Sequence, residues 1–206
     1  MYKKDPMGIE NESMSIIEEV MDDVNFSEEE KLVVKRMIHT TGDLDYRHIV
    51  DLSNDFLEEA KKALEEGVKI YTDTKMAYQG INKTALAKSA CDLYVHISDE
   101  DVAQEAKKRG TTRSIVAIEK AVANGAEAFV IGNAPTALYR LLELAEEGRV
   151  KPKFIVAVPV GFVGAAESKE EVAKYDYPYI RTRGNKGGSN VAASIINALL
   201  YMVYPR

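Results

Sequence analysis

The chain has 206 residues, of which 46% are hydrophobic, and its formal net charge is −6. This size and apolar fraction suit one α/β domain, and no apolar run approaches the ~18 residues of a membrane span. A negative charge without any basic stripe argues against a nucleic-acid partner. The single cysteine, Cys91, excludes an internal disulfide and a thiolate zinc site.

The first third of the chain is predicted to be helical. Residues 13–23 carry apolar side chains at helical spacing. Ser27 and Glu30 have the spacing of a capping box, which predicts the start of a second helix. A third helix is predicted from about Asp55 to Glu66, with Gly67 ending it.

Beyond residue 67 the pattern changes to short apolar runs that alternate with helical stretches. The runs predict strands at 68–72, 92–97, 128–132, 154–160 and 177–182. Five strands with helical crossovers indicate a mainly parallel sheet covered on both faces.

We therefore expect a single domain over residues 1–206. Its N-terminal part, about 1–67, is predicted to be helical, and the α/β part covers about 68–206. Residues 1–13 lack the apolar core of a secretory signal, so we expect a cytoplasmic protein with no membrane partner.

Four glycine-rich, polar or helix-opening segments follow the predicted strands. They read TDTKMAYQG, GNAPTAL, PVGFVGAAESKE and RTRGNKGGSN. In open parallel sheets, ligands bind beyond the carboxyl ends of the strands. We therefore expect these segments to gather at one edge of the sheet and to form the functional site.

The last of these segments has features of an anion site. Its glycines let the backbone approach a ligand closely, and free amides at the start of the following helix favour negative charge. Three cations strengthen this tendency. The residues concerned are Gly184, Gly187, Gly188, Ser189, Arg181, Arg183 and Lys186. The alternative is an ordinary strand-to-helix turn with a serine cap.

Two other loops suggest complementary roles. Pro135 fits the first position of a helix, which leaves the amides beside it open to a ligand. The small and apolar residues 161–166 could lie flat against a broad hydrophobic ligand. Ser168 and Glu171, which follow them, have the spacing of another capping box.

Arg113 is predicted to lie in the first turn of a helix capped by Thr112. The helix dipole disfavours a cation at that position. Arg113 is therefore expected either to form an ion pair or to bind a ligand carboxylate.

His39 is the candidate proton donor. If Gly42 ends the second helix, His39 lies in its last turn, where the dipole favours the imidazolium form, and Asp43 and Asp45 act in the same direction. A histidine of this kind can serve as a general acid near neutral pH. A C-capping histidine without chemistry is an equally weighted alternative.

The other two histidines are predicted to be structural. His48 is expected to face solvent, and His96 lies within a strand pattern. The H-x-x-x-H and H-E-x-x-H motifs are absent, so no metal site is predicted.

Five segments together resemble the precorrin-8X methylmutase family and its cobalt-precorrin-8 counterpart. They are IHTTGD (38–43), TRS (112–114), GNAPTAL (132–138), PVGFVGAAESKE (159–170) and RGNKGGSNVAA (183–193). They occur in the family's order, and the likeness runs from about Asp5 to Leu199. Two positions depart from the family pattern: Asn185 stands where arginine is common, and Met14 where phenylalanine is usual.

The resemblance implies a three-layer α/β/α, flavodoxin-like fold with N-terminal helices and a mainly parallel five-stranded sheet. It also implies a homodimer, no dissociable cofactor and a corrin-type tetrapyrrole substrate. The implied reaction of cobalamin biosynthesis moves a methyl group from C-11 to C-12 of the macrocycle, which gives cobyrinic or hydrogenobyrinic acid. The family's catalytic histidine falls on His39, its active-site serine on Ser13 and its arginine on Arg113.

Such a macrocycle has apolar faces and a rim of carboxylates, which matches the chemistry of the loops. The candidate substrate-binding residues are Ser13, Asp73, Met76, Arg113, Ser114, Asn133, Ala134, Gly161, Phe162, Val163, Gly164, Lys186, Gly187, Gly188 and Ser189. His39 is expected to donate a proton or a hydrogen bond to the conjugated system.

Two other functions fit parts of the pattern. A corrinoid-binding carrier without catalysis would use the same pocket. A flavodoxin-like mononucleotide binder fits the fold class, but TDTKMAYQG lacks the character of a phosphate loop. The sequence is compatible with a substrate with or without cobalt, and with a pocket built from one subunit or two.

Overall fold

The computed structural model describes residues 4–205, which form eleven helices and six strands. The helices are α1 (Pro6–Glu18), α2 (Glu28–Thr41), α3 (Tyr46–Ile49), α4 (Phe56–Glu66), α5 (Lys75–Gly80), α6 (Lys83–Leu86), α7 (Glu100–Arg109), α8 (Arg113–Ala123), α9 (Pro135–Glu146), α10 (Ala165–Val172) and α11 (Ser189–Val203). The strands are β1 (Val50–Leu52), β2 (Lys69–Thr72), β3 (Asp92–Tyr94), β4 (Ala128–Ile131), β5 (Phe154–Ala157) and β6 (Tyr179–Thr182).

The sheet has the strand order β1-β6-β5-β4-β2-β3. Strands β2 to β6 are mutually parallel and follow the flavodoxin-like order, which confirms the predicted mainly parallel sheet. A sixth strand, β1, pairs antiparallel with β6 and places Val50 opposite Thr182. The sequence did not reveal β1, because a three-residue edge strand is too short to show a period.

Helices cover both faces of the sheet, so the fold has three layers. Alternate strand residues point to opposite sides: Ile70 and Val130 join a core with α2, α4 and α11, while Phe129 and Ile131 join one with α8 and α9. Helix α11 is buried along most of its length and packs against α2, α4 and α5. It therefore forms the centre of one helical layer.

The ends of several helices lie where local signals placed them. Ser27 and Glu30 form the predicted capping box, with the Glu30 amide donating to Ser27 Oγ at 3.3 Å and the Ser27 amide donating to Glu30 Oε2 at 2.7 Å. Gly42 ends α2 in the left-handed conformation, with φ of 65°. Gly67 follows the last residue of α4, as predicted.

Two helix boundaries differ from the prediction. Helix α1 begins at Pro6 and ends at Glu18, because the Asp5 carboxylate accepts from the amides of Met7 and Gly8 and caps the helix earlier. The capping box at Ser168 was wrong. Helix α10 already begins at Ala165, after Gly164, and Ser168 is buried inside it with its hydroxyl donating to the Ala165 carbonyl.

Within residues 4–205, no helix has both the length and the apolar character that crossing a bilayer requires.

Candidate functional site

Asp73 joins two loops at the carboxyl edge of the sheet. It follows β2 and is buried, and its carboxylate accepts hydrogen bonds from the amides of Gly132 at 2.9 Å, Asn133 at 2.8 Å and Ala134 at 2.7 Å. Burial raises the pKa of Asp73, while these three amides act in the opposite direction. The structure therefore gives Asp73 a role in holding the loop before α9.

Asp73 and Ala134 were both expected at a ligand surface, and in the structure both are engaged in contacts within the chain. The amides that precede α9 are already satisfied by Asp73, and Ala134 is itself buried. The side chain of Asn133 remains exposed at the edge of the sheet.

The glycine segment before α11 is closely packed. A Cβ added to Gly187 would lie 2.2 Å from the Val158 carbonyl oxygen, and the Gly188 amide donates to that oxygen at 2.9 Å. Ser189 is buried, and its Oγ shares a hydrogen bond of 2.7 Å with Thr74 Oγ1. Gly188 and Ser189 of the predicted anion site thus make contacts within the chain, and Gly187 allows close backbone packing against Val158.

Two of the three cations predicted for this segment are also engaged. Arg181 donates to Asp51 at 2.6 Å. Lys186 Nζ donates to Asp43 at 2.6 Å and to Asp45 at 2.8 Å, and these two carboxylates raise the pKa of Lys186. The charge of Lys186 is therefore already paired within the chain, and its two ion pairs connect the loop after α2 to the glycine segment.

His39 lies in a cleft of about 270 Å³ between α2, α11 and the end of α5. Its side chain is exposed, and it makes no hydrogen bond or ion pair with another residue of the described range 4–205. Thr40 and Asn190 line the same cleft, and within that range their side chains likewise have no partner. Three polar groups without partners thus converge on one concave surface, as in many ligand sites.

The wall of this cleft is fixed by an ion pair and an aromatic contact. Arg36 donates to Glu10 Oε1 at 3.0 Å and lies over the Tyr201 ring, 5.6 Å from its centroid. Ser13 follows Glu10 by one helical turn, is half-buried and donates to the Ile9 carbonyl at 2.8 Å. The ion pair therefore holds α1 at Glu10 against Arg36, which lines the cleft.

The sequence reasoning missed most residues that line the cleft. They are Arg36, Thr40, Gly80, Asn190, Ala193, Ser194, Asn197 and Tyr201. One signal was present: Asn190, Ser194, Asn197 and Tyr201 recur at helical spacing in an otherwise apolar helix, which marks one polar face. This face of α11 forms one side of the cleft.

Arg113 lies at the same edge of the sheet, on the opposite helical layer. Thr112 caps α8 by accepting from the Ile115 amide, and its Oγ1 lies 3.3 Å from Thr136 Oγ1 at the start of α9. Arg113 is exposed and has no ion pair within residues 4–205. Of its two predicted roles, the ion pair is absent from this part of the chain. Ser114, the next residue, is half-buried.

An apolar loop protrudes beside these residues. Phe162 is 90% exposed and Val163 is 89% exposed. The Gly161 amide donates to the Asn185 carbonyl at 3.1 Å, which ties the loop to the segment that carries Lys186. Met76 on α5 is also exposed. This edge of the sheet thus presents large apolar side chains and an arginine that has no ion pair within residues 4–205.

The remaining histidines lie outside this region. His48 is exposed, with Nε2 3.6 Å from Asp23, and His96 Nδ1 lies 2.9 Å from Asp99 with its ring stacked on Tyr71. In the described part of the chain, no three His, Cys, Asp or Glu side chains are grouped so that they could hold a metal ion.

Comparison with known proteins gives a consistent result. The precorrin-8X methylmutase family profile matches residues 8–202. The cobalt-precorrin-8 methylmutase of Salmonella typhimurium is 45% identical, with 97% of each chain covered. That of Leptospira interrogans is 43% identical, with 95% of this chain and 93% of the relative covered. The crystal structure of precorrin-8X methylmutase from Thermus thermophilus superposes with a TM-score of 0.89 at 31% identity and covers 96% of both chains.

A full-length family match, relatives above 40% identity and the same fold agree with the five sequence segments. The chain belongs to the precorrin-8X methylmutase family, whose members are isomerases.

Proposed function

We propose that the protein moves a methyl group from C-11 to C-12 of a corrin-type precursor, precorrin-8X or its cobalt form, and so produces hydrogenobyrinic or cobyrinic acid. The observation that carries the proposal is His39, which has no partner within residues 4–205 and lies in a concave cleft of a chain from this family. The reaction is formally a sigmatropic shift within one molecule.

His39 is proposed to act as the general acid. The exposed ring in the open cleft can reach the conjugated system beside the migrating methyl group. A proton or hydrogen bond there makes the acceptor carbon more electron-poor. General acid assistance of this kind contributes about 10²- to 10⁴-fold in rate, and holding the ring in a reactive conformation supplies more.

The rest of the edge is proposed to bind the macrocycle. Arg113 fits a rim carboxylate, because a guanidinium binds carboxylates through two parallel hydrogen bonds. Phe162, Val163 and Met76 fit the apolar faces. Gly161 and Gly164 shape the apolar loop, and the exposed or half-buried polar groups proposed to complete the surface are Ser13, Ser114 and Asn133. Lys186 and the residues after it support the surface by holding its loops.

We also propose that the protein works as a homodimer in the cytoplasm. Phe162 and Val163 are almost fully exposed, which supports contact of this apolar loop with the substrate, with a second subunit or with both. Sedimentation equilibrium would test the dimer, which should have twice the chain mass of 22.9 kDa.

The central experiment compares wild-type protein with His39→Asn and with a matched control, His48→Asn, in a single-turnover absorbance assay on both substrate forms. Wild type should convert at least one form. His39→Asn should bind substrate but lose about 10²- to 10⁴-fold in rate, while His48→Asn should turn over normally, because His48 lies outside the cleft.

Two results would count against the proposal. Unchanged turnover in His39→Asn would eliminate the acid role. Wild-type protein that binds the product tightly but converts neither substrate would instead indicate a carrier.

A further inference from the structure

Lys169 is a fully buried lysine for which the structure describes no carboxylate partner within residues 4–205. It lies on α10, and its Nζ donates to Thr182 Oγ1 at 3.1 Å and to the Lys186 carbonyl at 2.8 Å. Burial and the nearby charge of Arg181 lower the pKa of Lys169 to about 8. A charged group is therefore held in the interior by neutral acceptors alone.

This arrangement is costly for stability. Burying an ammonium group without a counter-ion is unfavourable, and an apolar side chain of similar volume is often more stable at such a position. The benefit of the amino group is therefore expected in what its hydrogen bonds hold in place.

The acceptor of the shorter bond is the backbone of Lys186. The Thr182 hydroxyl donates to the same carbonyl at 2.7 Å, so two donors fix one oxygen. The side chain of Lys186 then reaches Asp43 at 2.6 Å and Asp45 at 2.8 Å. These aspartates follow His39 by four and six residues. Contacts thus connect buried Lys169, through Lys186, to the loop that follows α2.

The other side of this segment is fixed by packing. Gly187 has no room for a side chain beside Val158, and the Gly188 amide donates to the Val158 carbonyl. Helix α11 then begins at Ser189, and Asn190 enters the cleft opposite His39. Residues 183–188 are therefore connected to both sides of the cleft, through the contacts of Lys186 with the loop after α2 and through α11, which follows them directly.

We infer that Lys169 is a positioning residue, which holds residues 183–188 so that Lys186 can bridge Asp43 and Asp45 and thereby keeps His39 in register with Asn190 across the cleft. Its kinetic consequence rests on the proposed function, whereas its structural consequence does not.

The structural consequence is tested with Lys169→Met, whose unbranched side chain is one atom shorter and has no hydrogen-bond donor. Hydrogen exchange by mass spectrometry should show faster exchange in peptides covering 183–188 and also in those covering 39–45. The matched control is Lys174→Met, since Lys174 is exposed and, among the residues the structure describes, pairs with Glu171 alone, at 2.7 Å. It should leave both segments unchanged. Unchanged exchange over 39–45 in Lys169→Met overturns the inference, whatever the activity of the enzyme.

The kinetic consequence is tested in folded variants with substrate. Lys169→Met should lower kcat about 10- to 100-fold with little change in KM, because small misplacement of a reacting group has effects of about this size. If both residues act through the same loop, the double variant with Lys169→Met and Lys186→Met should lose much less in kcat than the product of the fold-losses of the two single variants. Independent losses, or a change in KM alone, would contradict positioning.

A second variant covers the case in which Lys169→Met does not fold. Thr182→Val removes the other donor to the Lys186 carbonyl while keeping the shape of the side chain. Hydrogen exchange over residues 39–45 should also become faster in Thr182→Val, but by less than in Lys169→Met. Unchanged exchange there would overturn the inference. An inactive wild type would refute the proposed function, while the exchange results would still decide the role of Lys169.

Discussion

Arg113 carries a positive charge at the start of α8, where the helix dipole opposes it. Its side chain is exposed and unpaired within residues 4–205, so it gains nothing there from an ion pair. Because the charge is unfavourable at this position, a ligand carboxylate is the proposed partner of Arg113.

Replacing this side chain should therefore separate binding from stability. In Arg113→Gln we expect KM to rise about 10- to 100-fold, because a hydrogen bond to a charged group contributes about 1.5–3 kcal/mol. The same variant should unfold at an equal or higher temperature, since an unfavourable cation is removed. Steady-state kinetics and thermal unfolding give the two readouts.

The control for that experiment is Lys107→Gln, which removes the same charge from an exposed position in the last turn of α7. It should leave KM unchanged. An unaltered KM in Arg113→Gln would show that Arg113 does not bind substrate.

Lys169 gives a residue-scale prediction for pH. Its pKa is lowered in the folded protein to about 8 from the ordinary value of 10.5. Between these values the unfolded chain binds more protons at this site, so the contribution of Lys169 to stability rises as pH increases. The destabilising cost of the charge is fully present below pH 8.

The measurement is urea unfolding of wild type and Lys169→Met at several pH values from 7 to 10. We expect the wild type to gain stability relative to the variant as pH rises through that window. If the difference in unfolding free energy between wild type and Lys169→Met stayed constant, or moved against the wild type as pH rises, Lys169 would not titrate as its surroundings indicate.

At the scale of elements, the glycine segment before α11 is where the sheet and two helical loops meet. Gly187 faces the Val158 carbonyl without room for a methyl group, whereas Gly184 has no neighbour within 4 Å at its Cβ position but a φ of 69°. The two glycines are thus needed for different reasons, close approach in one case and a left-handed backbone in the other.

Alanine substitutions should distinguish these reasons. Gly184→Ala should cost about 1–2 kcal/mol of unfolding free energy from the left-handed conformation. Gly187→Ala should cost about 3 kcal/mol or more, because overpacking against rigid backbone cannot be relieved by a side-chain rotation. Denaturant unfolding measures both, and equal losses would show that the contact with Val158 is not limiting.

At the scale of the whole molecule, one sheet is shared by two helical layers. Phe56 of α4 is buried on one face and packs edge-on against Phe154 of β5, with ring centroids 6.3 Å apart. Residues of the same strand, such as Ile155, face the other layer. Loss of packing on one side should therefore weaken the whole structure, as expected of a single domain.

Phe56→Ala tests this coupling. It should lower the unfolding free energy by about 3–5 kcal/mol, and unfolding should remain one transition. Far-ultraviolet circular dichroism and hydrogen exchange in α8 and α9 should report the same midpoint. Exchange protection in α8 and α9 that outlasts the circular dichroism transition would indicate two separately folding units.

The sequence by itself determined the features that depend on neighbours along the chain. Strand periodicity, the capping box at Ser27 and the glycines that end α2 and α4 involve residues only a few positions apart, so composition and spacing predict them. The polar face of α11 was also readable in this way. These signals were sufficient for the mainly parallel sheet and for the position of His39 in the last turn of α2.

Only the tertiary structure decided which polar groups remain available to a ligand. Asp73 meets its amide partners 59 to 61 positions away, and Lys186 meets Asp43 across 143 positions. Both were expected at a ligand surface, and in the structure both hold loops together. The strand β1 likewise exists only through its pairing with β6. The physical reason is that a side chain's charge is fixed by its identity, whereas its partner is fixed by where distant segments meet.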